Sequence, residues 1–108
     1  MTSKICDRLW KEAIKKRAGG QCEWCMSRQV LQGHHIFSCT YWPVRFDLEN
    51  GVCLCRYCHI FRLKKENTEF WKWIKTKRDI EYLELRKHSP TKNDYKLIEI
   101  MLKQKLNR

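Results

Sequence analysis

The chain has 108 residues, with 23 Lys+Arg against 12 Asp+Glu and a formal net charge of +11. That length suits one small domain whose core needs a staple, a structural metal or disulfides, to be comfortably stable. No apolar run approaches a membrane span, and the opening MTSKICDRLWKEAIKKR is too charged for a secretory signal. The seven cysteines are therefore read as thiols in a reducing cytosol, candidates for metal ligation. Charge of this size favours a polyanionic partner through counterion release, even after four thiolates around one Zn²⁺ lower it to roughly +9.

Residues 3–18 (SKICDRLWKEAIKKRA) carry Ile5, Leu9 and Ala13 on one face, with Trp10 and Ile14 beside them, and predict an amphipathic helix. Ser3 is a candidate N-cap, Asp7–Lys11 and Glu12–Lys16 are i,i+4 pairs, and Gly19-Gly20 ends the helix. Residues 21–65 hold six of the seven cysteines and three of the four histidines. Within them 30–36 reads as a short strand, 37–49 as a loop broken by Pro43, 51–55 as a second strand, and the chain turns helical near Tyr57. Residues 68–108 are helical in pattern. Thr68 is a cap for TEFWKWIKTKR, 80–88 continues in helical period, Ser89-Pro90 breaks it, and 93–106 forms a last helix with Tyr95, Ile98, Leu102 and Leu106 aligned and Glu99 paired with Lys103. A boundary near residue 66 separates a metal-rich half from a helical extension, all within a single domain.

Cys22-Glu-Trp-Cys25 and Cys55-Arg-Tyr-Cys58 are two C-x-x-C units separated by 29 residues. Each tight bend presents two thiolates, and two bends close a tetrahedral site with no open position, as a structural zinc requires. Cys53 competes with Cys55, because i and i+2 share one face of a strand; the spacing to Cys58 favours Cys55. Cys6 and Cys39 are read as ordinary thiols.

His34 and His35 stand side by side between the two units, and His59 follows Cys58 directly. Loop hydrogen bonding or an alternative zinc ligand would account for any one of them; three crowded together ask for more. Adjacent residues near a strand end point in different directions, so the pair is not expected to share one metal. A neutral imidazole near its ordinary pKa also suits a general base.

The order C-x2-C, then GHHI, then N-G-V-C-L-C-R-Y-C-H, with nine residues from Asn50 to His59, resembles the HNH nuclease family over residues 22–63. The resemblance implies an α+β fold: a ββα-metal core stapled by a four-cysteine zinc site (Cys22, Cys25, Cys55, Cys58), flanked by an N-terminal helix and C-terminal helices. It implies a divalent-metal-dependent DNA endonuclease that leaves 5′-phosphate and 3′-hydroxyl ends. His35 would be the general base, His34 and His59 the ligands of the catalytic cation, and Asn50 the residue that holds the loop and orients His35. Two positions depart from the family pattern. His34 stands where aspartate is common, which removes a negative charge and moves preference from Mg²⁺ toward Mn²⁺, Ni²⁺ or Zn²⁺. Leu63 stands four after His59, where some relatives carry a further ligand; Asp47, Asn67 or a partner-chain residue are the candidates to help complete the shell.

Arg28, Arg45, Arg56, Arg62, Lys64 and Lys65 are candidate phosphate contacts, giving binding to double-stranded or branched DNA with little sequence choice. Trp42, beside Pro43, is the candidate exposed aromatic. The tail, with GHHIFS and RFDLENGVCLC, is similar to small phage-borne HNH proteins loosely related to the NinG recombination-associated group. That resemblance implies a phage or prophage origin and a nicking or structure-directed activity in the cytoplasm of a bacterial host. Symmetric double-strand cutting would instead need two sites, for which the C-terminal helices are the candidate homodimer face. The reading from another class is a non-catalytic, zinc-stabilised DNA-binding adaptor.

Overall fold

The computed structural model describes residues 2–90 and 92–107. Helix α1 spans Thr2–Arg17. It buries Cys6, Leu9, Trp10, Ala13 and Ile14, the i, i+3, i+4, i+7, i+8 stripe of a helix lying on a core. Lys15, Lys16 and Arg17 occupy its last turn, where cations oppose the helix dipole, and Gly19 and Gly20 reverse the chain at φ +71° and +73°. The expected i,i+4 partners differ: Asp7 binds Arg45 across the fold, and Glu12 pairs with Arg8.

Strands β1 (Leu31–His35) and β2 (Gly51–Cys55) form an antiparallel hairpin in which Gln32 faces Leu54, His34 faces Val52 and His35 faces Gly51. β1 begins one residue after Val30, which sits at φ +47° and accepts a hydrogen bond from the Arg56 N–H at 2.9 Å. A β-branched residue in the left-handed region costs about 1–2 kcal/mol, so this rung is held by the hairpin around it. The 36–47 connection ends in a short 3-10 turn, Leu48–Asn50, capped by the Asp47 carboxylate, which accepts from Glu49 N.

The hairpin is covered on both faces. Cys53 and its side of β2 pack with Trp10, Ile14, Phe46 and Leu102. Val52, Leu54, Cys55 and Ile36 pack instead with Phe70 and Ile74. After β2 the chain enters a π-helical turn, Cys58–Arg62, which continues as α2 (Leu63–Lys65). Helix α3 spans Asn67–Ile74, so it starts before Thr68 and Thr68 is a first-turn residue rather than its cap; it also stops well short of Arg78. Helices α4 (Ile80–Arg86) and α5 (Tyr95–Leu106) are each capped by an aspartate, Asp79 and Asp94, whose side chains accept from Tyr82 N and Leu97 N. The last helix therefore starts at Tyr95 rather than at 93, after an aspartate that satisfies a free N–H of its first turn.

α5 lies along α1, with Leu102 buried and Tyr95, Ile98 and Leu106 packed against the same cluster. α3 closes the opposite face. The change of character near residue 66 is therefore a change of composition and not of packing, because the C-terminal helices supply part of both cores.

The close approach of α1 to β2 depends on Gly51. A Cβ there would overlap Ile14 Cδ1 and lie 2.7 Å from Trp10 Cζ2. Gly51→Ala should destabilise the fold by about 1–3 kcal/mol, read as a lowered thermal midpoint by circular dichroism. Adding Ile14→Val should restore part of that loss, and an unchanged midpoint for Gly51→Ala would contradict the packing.

Candidate functional site

The thiols of Cys22, Cys25, Cys55 and Cys58 all lie within 4.8 Å of one another. Cys25 Sγ and Cys55 Sγ are 3.5 Å apart, and a tetrahedral shell with Zn–S of about 2.3 Å has edges of about 3.8 Å. The two turns are built alike. The N–H of Cys25 points at Cys22 Sγ (3.4 Å), and the N–H of Cys58 points at Cys55 Sγ (3.5 Å). Burial raises the Cys22 thiol, but backbone hydrogen bonds from Cys25, Cys55 and Trp24 outweigh it and bring the pKa down to about 7. Such a cluster fits one structural metal ion, and among the described residues it is the one group of three or more His, Cys, Asp or Glu donors with that geometry.

Cys53 is not part of it. Its side chain joins the α1 cluster, and burial, followed by the Glu23 carboxylate, raises its pKa to about 11, so it stays a neutral thiol. The i,i+2 competition is settled by the end of the strand: β2 stops at Cys55 and the chain turns helical, swinging that thiol toward Cys22 and Cys25. Cys6 donates to the Tyr95 carbonyl at 3.3 Å, and Cys39 lies exposed in the 36–47 connection.

The histidines separate by strand face. The His34 ring meets the His59 ring edge-on, with centroids 4.8 Å apart at 61°, and also approaches Phe70. Two imidazoles sharing one ion at metal–nitrogen distances of about 2.1 Å have centroids about 4.5–5.5 Å apart, and the observed separation falls in that range. Burial, followed by the charges of His59 and His35, pushes the His34 pKa down to about 4, leaving it neutral with a lone pair to give. His59 sits on the π-turn and is likewise lowered by burial. Its Nδ1 donates to Gln32 Oε1, which leaves Nε2 as the open nitrogen. Gln32 and His34 are i and i+2 on β1, so they share the face turned toward that helix.

His35 faces the other way. Its ring stacks on Trp10 with centroids 4.0 Å apart and planes 4° from parallel. Its Nε2 donates to the Arg45 carbonyl at 2.9 Å, which fixes the tautomer and leaves Nδ1 as an acceptor. Burial lowers its pKa, partly offset by that carbonyl. Arg45 is itself anchored by two hydrogen bonds to Asp7, at 3.2 and 2.7 Å. Asn50 is fully buried, with Oδ1 accepting from Phe37 N and Nδ2 donating to the carbonyls of Phe37 and Val44. It pins both ends of the segment that runs from β1 toward Arg45.

The remaining candidates are scattered. Asp47 does not join the histidines; its carboxylate accepts from Glu49 N and from the Tyr82 hydroxyl and faces Arg86. Asn67 is the first residue of α3, and among the described residues no hydrogen bond joins it to either histidine. Among the basic residues, Arg45 is held by Asp7, and Arg62 pairs with Glu66 at 3.4 Å while lying over the Trp24 ring. Arg56, Lys64 and Lys65 lie on or beside the helix after β2, and Arg28 precedes β1. Gln32, Trp10 and Asp7 have no marker in the motifs. Gln32 alone left a signal, its i,i+2 spacing from His34.

No protein-family model matches the chain, and comparison with curated proteins and with solved structures gives no match either. The functional reading therefore stands on this geometry.

Cys58→Ser should abolish stoichiometric metal binding and cooperative unfolding together, whereas Cys53→Ala should keep the full metal content by elemental analysis. Loss of metal from Cys53→Ala would reassign the fourth ligand.

Proposed function

We propose that this chain is a divalent-metal-dependent DNA endonuclease of the HNH type, its ββα-metal core formed by β1, β2 and the helix that begins at Cys58, with zinc in the four-cysteine cluster. The observation that carries the reading is the division of the adjacent pair: His34 turns to His59, while His35 turns away with one nitrogen committed to the Arg45 carbonyl. A nuclease needs both functions at one strand end, and here the hydrogen bond to the Arg45 carbonyl leaves one His35 nitrogen to accept a proton while His34 stands beside His59.

His35 is the general base. With Nε2–H given to Arg45, only Nδ1 can take a proton from water, and the Trp10 stack holds the ring plane. Asn50 acts through His35 by bracing the segment that carries the Arg45 carbonyl. His34 and His59 hold the cation, with Gln32 orienting His59 from behind. When bound, that cation supplies charge stabilisation for a phosphate oxygen and the departing 3′-oxygen. Two neutral imidazoles favour Mn²⁺, Ni²⁺ or Zn²⁺ over Mg²⁺. Hydrolysis would leave 5′-phosphate and 3′-hydroxyl ends. Arg28, Arg56, Lys64 and Lys65 are the phosphate contacts, since ion pairs already occupy Arg45 and Arg62.

His35→Ala should abolish cleavage across plasmid, branched and single-stranded DNA while fold and DNA affinity persist. If the wild-type chain leaves all three intact with each metal, the adaptor reading replaces this one. Because burial lowers the His35 pKa, the acid limb of the rate at saturating metal should have its midpoint below the ordinary value of 6.5. A midpoint above 6.5 would contradict the assignment. Gln32→Ala should weaken divalent-ion affinity by about 10–100-fold, measured by the metal dependence of the rate, with little change at saturation.

A further inference from the structure

The helix that follows β2 buries one side and leaves another bare. Cys58 is buried and Leu63 packs against the α3 cluster, while Tyr57 is 64% exposed and Phe61 61% exposed. Their rings lie 5.8 Å apart, tilted by 38°, so they form one aromatic patch. Among the described residues the other exposed aromatics are far less open: Tyr82 at 41%, Trp42 at 40% and Tyr41 at 37%. Ile60, between Tyr57 and Phe61 in sequence, is also exposed, and Arg56, Lys64 and Lys65 flank the pair along the chain. Tyr57, Phe61, Lys64 and Lys65 lie on one continuous stretch, the π-helical turn with the residue before it and α2.

We propose that Tyr57 and Phe61 are a stacking platform for unpaired nucleobases, so that the protein prefers DNA with a single-stranded segment over continuous duplex. Three observations point to this occupant. The flanking charge is predominantly positive, Arg56, Lys64 and Lys65 with Glu66 paired to Arg62, in a chain of net +11, which suits a polyanion and opposes a second copy of the same face. Flat rings interleaved with cations are the chemistry that holds single strands, since every base offers a π-face while its phosphates meet lysine and arginine. Paired bases in a duplex keep their faces stacked on each other and have none to offer. The patch also shares its helix with His59, two residues from each ring in sequence. That last placement rests on the nuclease reading; the binding argument does not.

The test is equilibrium binding without added divalent ion, by anisotropy of a labelled oligothymidine and of a blunt duplex of equal length. Tyr57→Ala and Phe61→Ala should each weaken single-strand binding by about tenfold or more, while duplex binding changes less than about twofold. Phe61→Trp should retain single-strand affinity, whereas Phe61→Leu, apolar but without a ring, should lose it. Lys64→Ala with Lys65→Ala should weaken both ligands alike and flatten the salt dependence. Wild-type affinity in the two alanine variants, equal losses on strand and duplex, or a loss that instead tracks self-association or anionic vesicles, would overturn the platform. A chain that cleaves nothing but shows the ring-dependent binding would sink the nuclease reading alone. One that cleaves DNA but binds strands independently of the rings would sink the platform alone.

Discussion

A hairpin of two five-residue strands is marginal in water by itself, and this one carries both adjacent histidines. Everything at the site depends on its being clamped from both sides. On one face α1 comes so close that Gly51 has no room for a side chain, which puts Trp10 against the His35 ring. On the other face the cysteine turns, Phe70 and Ile74 close over Val52 and Leu54. Because strand side chains alternate, this double cover divides neighbouring residues between two different environments. His34 inherits the neighbourhood of the helix after β2, and His35 that of α1.

The polar struts reinforce the same clamp. Glu23, inside the first cysteine turn, accepts from Cys53 N and from Arg78, and Arg78 also donates to the Gly51 carbonyl. The Arg78–Glu23 pair is largely buried, with its side chains 9% and 19% exposed. Removing one partner would strand the other charge beside the turn, so the pair works as a register lock more than as a source of net stability. Arg17 donates to the same Gly51 carbonyl from the end of α1. Two guanidiniums from distant parts of the chain thus meet at the residue that pairs with His35, Arg17 from the end of α1 and Arg78 held by Glu23 of the first cysteine turn.

Local signals carried much of this into the sequence. The α1 stripe, the two strands, the C-x-x-C turns and the Tyr95–Leu106 helix are each written in spacings of two, three or four residues, and those are the spacings a single chain displays. The mixed helix-and-strand class and the four-thiol cluster followed from them. What stayed illegible is what joins residues far apart: Asp7 with Arg45, Trp10 with His35, Glu23 with Arg78. Each partner taken alone looks like a solvated charge or an ordinary core residue, and only the clamp brings them together. Asp7 left its assigned i,i+4 lysine for that reason, since a tertiary partner with bidentate geometry outcompetes a weak exposed pair. The misplaced cap at Thr68 has a different cause: α3 follows α2 after a single residue, Glu66, at φ −118° and ψ 45°, so the chain re-enters the helix before the hydroxyl is reached.

The tautomers show how far packing reaches into chemistry. An imidazole has one donor and one acceptor nitrogen when neutral, so each carbonyl-type oxygen placed beside a ring decides which nitrogen is left for other work. The Arg45 carbonyl decides for His35, and the Gln32 amide oxygen decides for His59. The first oxygen is held by Asp7 and Asn50, acting from the helix and the loop; the second is held by its place on β1, two residues from His34. Burial depresses the pKa of all three histidines, so their open nitrogens remain lone pairs at neutral pH. Two of those lone pairs, on His35 and His59, are aimed by the hydrogen bond that their ring's other nitrogen makes, one on each side of the hairpin. The packing that buries the strand end therefore also decides which imidazole nitrogens are left to bind or to accept a proton.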